Sequence, residues 1–214
     1  MVEHVNQLVR SCFYQLRRVR FIRRSLTTMA ATRLMKSFII ARVDYCNSIL
    51  AGLPKQQLAR IQSVLNVTAR IIFGHARFDH ITPTLRNRFH WLKVPQRIEF
   101  KRCLLVYKAL HGQAPAYIAS FCSEVSSTRR MRSSSHHRLQ IPPLAKTVKL
   151  GERSFSIGGP SAWNNLPDAV KESENLKSFM QRLKTLIFNM LQQTYVDMTM
   201  LSALDFGLGR AMAL

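Results

Sequence analysis

Acidic residues are scarce in this chain of 214 residues: eleven Asp and Glu stand against thirty-two Lys and Arg, leaving a formal charge of +21 and a pI near 11.1. A field of that size repels itself, which points to a polyanionic partner, nucleic acid first and an acidic membrane surface second. The second needs an amphipathic anchor or a lipid signal. The sequence has neither an apolar span of about 18 residues nor a lipidation motif, so no membrane partner is expected. Cysteine is sparse as well: Cys12, Cys46, Cys103 and Cys122 are widely spaced and follow no signal peptide. That speaks against a disulfide framework and for a reducing, intracellular setting, nucleus and cytoplasm.

Motifs that carry metal or cofactor chemistry are missing too. No C-x-x-C occurs, His136 and His137 are adjacent in a basic stretch, and His75 and His80 flank a loop with no Cys at ligand spacing. GLGR, which starts at Gly207, lacks a preceding strand, a following helix and a third glycine, so it is not a phosphate loop. No metal and no cofactor are expected. There is no internal repeat at solenoid periods.

What the chain does have is 47% hydrophobic residues, enough to bury a core in one domain or two small ones. Val5, Leu8, Val9, Cys12, Leu16 and Val19 fall at the spacing of one helical face. The Arg-rich start imitates a mitochondrial presequence, but it runs without a break into this helix. Ser25 or Thr27 then caps a second helix that runs through Met29, Leu34, Phe38, Ile39 and Val43 to about Leu50, closed by Gly52 and Pro54. A third carries Leu58, Ile61, Leu65, Thr68, Ala69 and Ile72 on one face and stops at Gly74. Asp79 or Thr82 caps a short helix with Pro83 at its first position, and a fourth long helix spans about Pro95 to His111, its block Leu104 to Tyr107 the most buried of all.

After Pro115 and a helical turn the texture changes. Residues 123–140, SEVSSTRRMRSSSHHRLQ, are Ser-rich, basic and aperiodic, as an exposed linker is. Beyond them RLQIPPL and TVKLGERSFSIGGP alternate in the manner of two or three short strands, followed by a turn and short helix around Trp163. A last helix starts near Asn175 and shows Leu176, Phe179, Met180, Leu183, Ile187 and Met190 on one face. The fold class is therefore mainly α: a helical bundle over 1–122, a basic linker over 123–140, a small α+β module with a C-terminal helix over 141–190, and a divergent tail over 191–214.

The stretch ARVDYCNSILAGLP, Ala41 to Pro54, invites a catalytic reading. Two-metal polymerase chemistry needs at least two converging carboxylates, because each ion bridges protein and phosphate oxygens. Asp44 is followed by Tyr45 and lies in the last turns of a helix, and Asp79 and Asp168 leave no paired site in view. The bland alternative is a helix carboxylate held by Arg42 or by a residue of the first helix. Cys46 as a nucleophile would need a His in space; the alternative is a small core residue.

The basic residues withstand the same scrutiny. Arg10, Arg17, Arg18, Arg20, Arg23 and Arg24 cluster in or just after the first helix, and Arg129, Arg130, Arg132 and Arg138 stud the linker. Ordinary solvated faces mix signs; here acids are almost absent before Asp168. Phosphate neutralisation by such a set releases counterions, so binding is expected to fall steeply with salt and to read little sequence. Trp91 and Trp163 are candidates for stacking on bases, though Trp163 sits in a Pro- and Gly-bounded turn suited to packing.

A series of strings recurs in fixed order: RSCFYQLRRVRFIRRSLT, ARVDYCNSILAGLP, ARIQSVLNVTARIIFG, FDHITPTLRNRFHWLKVPQRIEFK, LLVYKALHGQAPAYI, RSFSIGGPSAWNNLPDAVK and LKSFMQRLKTLIF. Together, over roughly residues 4–188, they resemble the C-terminal region of reverse transcriptases encoded by LINE-type, non-LTR retrotransposons of animals, in the jockey-like group. The resemblance implies thumb helices and the segment beyond them, which in the family grip template RNA and the primer-template duplex. It implies no catalysis by this chain, since the catalytic aspartates belong to the palm that precedes this region. A degenerate genomic copy read from an internal Met would account for Met1 and for the tail after about Leu191. Two other readings stand beside RNA or duplex binding: a co-opted helical protein-interaction module, and a non-functional product of a degenerate element.

Overall fold

The computed structural model describes residues 1–76, 79, 81–87, 90–125, 138–142 and 154–190. Among these the protein is mainly helical, and its only β pairing is an isolated antiparallel bridge between Glu124 and Leu139. None of the described helices is long and apolar enough to cross a membrane. The described chain forms two compact units, one from residues up to 125 together with 138–142 and 154–165, the other from 166–190.

In the first unit, helix α1 (Val2–Ile22) buries Val5, Val9, Cys12, Leu16 and Val19, the stripe its periodicity marks. A short turn, Arg23–Ser25, leads to α2 (Thr28–Met35), whose first turn is capped by the Thr27 hydroxyl accepting from the Ala30 amide at 3.2 Å. The helix continues through a wide π turn, Lys36–Ile40, into α3 (Ala41–Asp44). It stops at Asp44, short of the expected Leu50. Tyr45 is extended, Cys46 takes a left-handed φ of 49°, and Asn47–Leu50 form a 3-10 turn. Cys46 is exposed in this turn, which corrects the expectation of a core thiol.

Helix α4 (Lys55–Phe73) starts after Pro54, whose carbonyl accepts from Gln57 and Leu58, and ends at Gly74 with φ 71°, a backbone region that glycine enters without steric cost. Helix α5 (Thr82–Asn87) begins at Thr82 itself, so Pro83 is its second residue and not its first. Asp79 closes the preceding loop instead, accepting from the Ala76 amide at 2.7 Å and facing His75 at 3.4 Å. Helix α6 (Val94–Leu110) opens with Gln96 accepting from the Lys93 amide and is followed, after His111, by Gly112 at φ 67°. Its Val106 and Tyr107 are almost fully buried, as the Leu104–Tyr107 block predicts. Helix α7 (Ala116–Ala119) is a single turn.

The core of this unit joins α1, the α2–α3 segment, α4 and the start of α6 through residues such as Leu16, Met35, Ile39, Ile61, Leu65, Ile72 and Ile98. Polar contacts give the directions. Asn6 meets Arg60, and Arg23 meets Ile71 and Ile72, so the starts and the ends of α1 and α4 lie together and the two run the same way. Ser11 meets Arg42, so α2–α3 folds back along α1.

One expectation fails in a physically informative way. SFSIGGP is not a strand: Phe155–Asn164 form helix α8, packed on α6. Its buried residues are Gly158, Gly159, Pro160, Ala162 and Trp163. A Cβ on Gly158 would stand 1.1 Å from an Arg102 guanidinium nitrogen, and one on Gly159 would stand 3.3 Å from Val106 Cγ2. The two glycines at this contact carry no hydrophobic signal, and the alternation of Phe155 and Ile157 before them mimics a strand. Trp163, 1% exposed, is a packing anchor, and the Asn164 side chain bonds both backbone groups of Leu139 at 2.9 Å. The remainder of the expected strand segment, 143–153, lies outside the described residues.

In the second unit, helix α9 (Asp168–Lys171) follows Pro167, and a longer helix, α10, spans residues 176–190. The Asn175 side chain caps α10 by accepting from the Ser178 amide at 2.8 Å. Phe179, Leu183 and Ile187 are buried, whereas Met180 and Met190 are exposed, so the apolar stripe is narrower than its sequence suggests. Arg182 donates to the Ala169 carbonyl at 2.8 Å and ties the two helices together.

Candidate nucleic-acid interface

The candidate phosphate ligands separate into groups once placed. Arg10, Arg17, Arg18, Arg20 and Arg24 are exposed, as is Arg138. Arg129, Arg130 and Arg132 lie outside the described residues. Arg23 is spoken for: Nε donates to the Ile71 carbonyl at 2.9 Å, Nη2 to Ile72 at 2.7 Å and Nη1 to Leu26 at 2.7 Å. Its position at the end of α4 is what a helix C-terminus calls for, where carbonyls lack intrahelical partners and the dipole favours a cation. Arg23 is a structural cap, and the sequence, which shows only another arginine in a run, conceals that.

Helix geometry arranges the rest. Seven residues make about two turns, so Arg10 and Arg17 share one stripe of α1, while Arg18 lies across the outward face from them. Neighbouring helices add charge on both flanks. Arg60 of α4 reaches Asn6 on the Arg10 side, and Arg42 of α3 reaches Ser11 on the Arg18 side. The Arg42 charge is felt inside α1 as well: burial pushes the Cys12 thiol up, and Arg42 pulls it partly back. The result is a face built by three elements with Glu3, in the first turn, the only acid of α1. Arg42 and Arg60 are not distinguished by sequence from the other cations, since their nearness to α1 is a product of the fold.

The aromatic candidates also sort themselves. Trp163 is buried, and Trp91 is half-buried with the Arg97 guanidinium 5.8 Å from its ring. Several rings do face outward, among them Phe38, Tyr45, Tyr117 and Phe121, and two of them, Tyr14 at 59% and Phe21 at 90% exposed, lie on the arginine-bearing helix α1. Their signal was available in the sequence as an i, i+7 pair opposite the Val5–Val9–Cys12–Leu16 stripe.

Asp44 does not sit in a catalytic constellation. Arg97 Nη1 lies 2.7 and 2.8 Å from its two carboxylate oxygens, so neither Arg42 nor α1 supplies the partner. Arg97 also donates to the Leu92 carbonyl at 2.9 Å, which pins the start of α6 to the end of α3. The described residues hold no group of three His, Cys, Asp or Glu placed to bind a metal ion. Cys12, Cys103 and Cys122 are buried with thiol pKa values raised by burial, Cys103 to about 12, so none of them is a ready thiolate. No family model matches the chain, and no curated protein and no solved structure matches it either.

Proposed function

We propose that this chain corresponds to the thumb and post-thumb region of a LINE-type reverse transcriptase of the jockey-like group, and that it binds RNA or primer-template duplex electrostatically without catalysing a reaction itself. The family assignment is supported by the seven ordered strings. The binding is supported above all by one observation: Arg10, Arg17 and Arg18 stand exposed on α1 with Arg42 and Arg60 brought to its flanks. Five guanidinia around the outward face of α1, whose only acid is Glu3, form the footprint of a phosphate-backbone reader. Such contacts fix position and carry little sequence information.

The test is a salt titration of affinity for an RNA–DNA duplex, by filter binding, for the protein and for an Arg10→Gln/Arg17→Gln/Arg18→Gln variant. Each neutralised duplex phosphate contributes about −0.9 to the log-log slope, so the variant should be shallower by roughly 2 to 3 units. A flat slope for the unaltered protein, or no binding at low salt, overturns the reading. An unchanged slope in the variant moves the interface away from α1.

A further inference from the structure

The outward face of α1 carries more than charge. Phe21 is 90% exposed and Tyr14 59%, the former an exposure that costs a large apolar side chain its burial and leaves it without packing. Seven residues apart on one helix, the two rings are aligned about 10.5 Å apart along the axis. They are bordered by Arg10 and Arg17 on one side and Arg18 on the other, and the Arg18 guanidinium lies 5.8 Å from the Tyr14 ring centroid. The apolar stripe of the same helix, from Val5 to Val19, is fully used in the core, so these rings are surplus to folding.

From this juxtaposition we infer that the α1 face is a binding site for single-stranded nucleic acid, in which Tyr14 and Phe21 stack on unpaired bases while Arg10, Arg17 and Arg18 hold the intervening phosphates. The inference rests on the nucleic-acid reading above and sharpens it. A duplex turns only its backbone toward such a surface and leaves the rings without a partner. An unpaired strand offers a base face to each ring and a phosphate to each neighbouring guanidinium, the combination that stacking platforms in single-strand binders use. Charge also selects the occupant: a protein partner for this face would have to be strongly acidic, and it would gain nothing from rings set between cations that a single strand does not gain twice over. The ring spacing admits a strand that stacks one base per ring with nucleotides spanning between, so the site reads no sequence.

The experiment uses the full chain and fluorescein-labelled oligouridylate, oligothymidylate and an RNA–DNA duplex of the same length, read by anisotropy. Tyr14→Ala/Phe21→Ala should weaken binding to the single strands by roughly tenfold or more per ring and leave duplex affinity within about twofold, with the salt slope unchanged. Tyr14→Trp/Phe21→Trp should restore single-strand affinity. Weaker loss for oligothymidylate than for oligouridylate would assign the site to RNA, and equal loss to either strand chemistry. Both side chains are exposed, so folding is checked simply by far-UV circular dichroism. Unchanged single-strand affinity in the alanine variant, with duplex binding intact, overturns the stacking site and leaves the electrostatic reading standing. Equal loss for single strand and duplex assigns the rings a structural role and also overturns it. Absence of binding to all three oligomers overturns both.

Discussion

Replacing Arg23 separates the structural cations of this protein from its binding cations. The side chain spends its three nitrogens on three carbonyls, at 2.9, 2.7 and 2.7 Å, two of them at the C-terminus of α4. A hydrogen bond from a charged donor contributes about 1.5–3 kcal/mol, and an acceptor left unpaired costs about 1–3 kcal/mol unless water replaces the donor. Arg23 is half-buried, so water recovers part of the loss. Losses at Ile71 and Ile72, discounted for that recovery, put Arg23→Ala at about 2–4 kcal/mol. For a protein of this size that is a fall in Tm of about 5–15 °C. Arg23→Lys presents one charged point where the guanidinium presents a fork, and it should recover less than half of the loss. Thermal melts followed by far-UV circular dichroism measure this, with a nucleic-acid salt titration on the same samples. The expected pattern is reduced stability with an unchanged salt slope at a temperature where the variant is folded. A melting temperature within about 1 °C of the unaltered protein, accompanied by a shallower slope, would show Arg23 contacting phosphate and would refute the capping argument.

Three further outcomes follow from local geometry. Cys46 is the exposed thiol and Cys103 is fully buried, so a thiol-specific reagent should label Cys46 in the native protein within minutes and leave Cys103 unmodified until unfolding. Cys103 has a native pKa pushed from 9.0 to about 12 by burial, so its contribution to stability is complete below pH 9 and is lost as pH rises toward 12; Cys103→Ala should flatten the stability-against-pH curve in that window. Gly74→Ala meets no neighbouring atom, so its cost is the left-handed backbone alone, about 1 kcal/mol in chemical denaturation. A loss of less than about 0.3 kcal/mol would show that the end of α4 rearranges instead.

How much of this was legible beforehand depends on whether the deciding interaction is local. The core stripe of α1, the stop of α4 at Gly74, the Thr27 cap and the Asn175 start of α10 follow from periodicity and from residues a turn away, and all are found where the sequence places them. The end of α3 does not, because Asp44 is held by Arg97, a partner fifty-three positions on. Helix α8 defeats pattern reading for the same reason: the glycines that let it lie on α6 look like strand punctuation until Arg102 and Val106 are set against them.

The candidate site divides along that line. By itself the sequence determined a strongly basic, mainly helical chain with an arginine-laden first helix, since net charge and a 3.6-residue period are sums over neighbouring residues. Only the tertiary structure decided which arginines are available. It turned Arg23 inward to cap α4, delivered Arg42 and Arg60 to the flanks of α1, buried Trp163, and left Tyr14 and Phe21 facing solvent. A guanidinium binds whichever oxygen the fold places within about 3 Å of it, carbonyl or phosphate, and that distance is set by chain segments far apart in sequence.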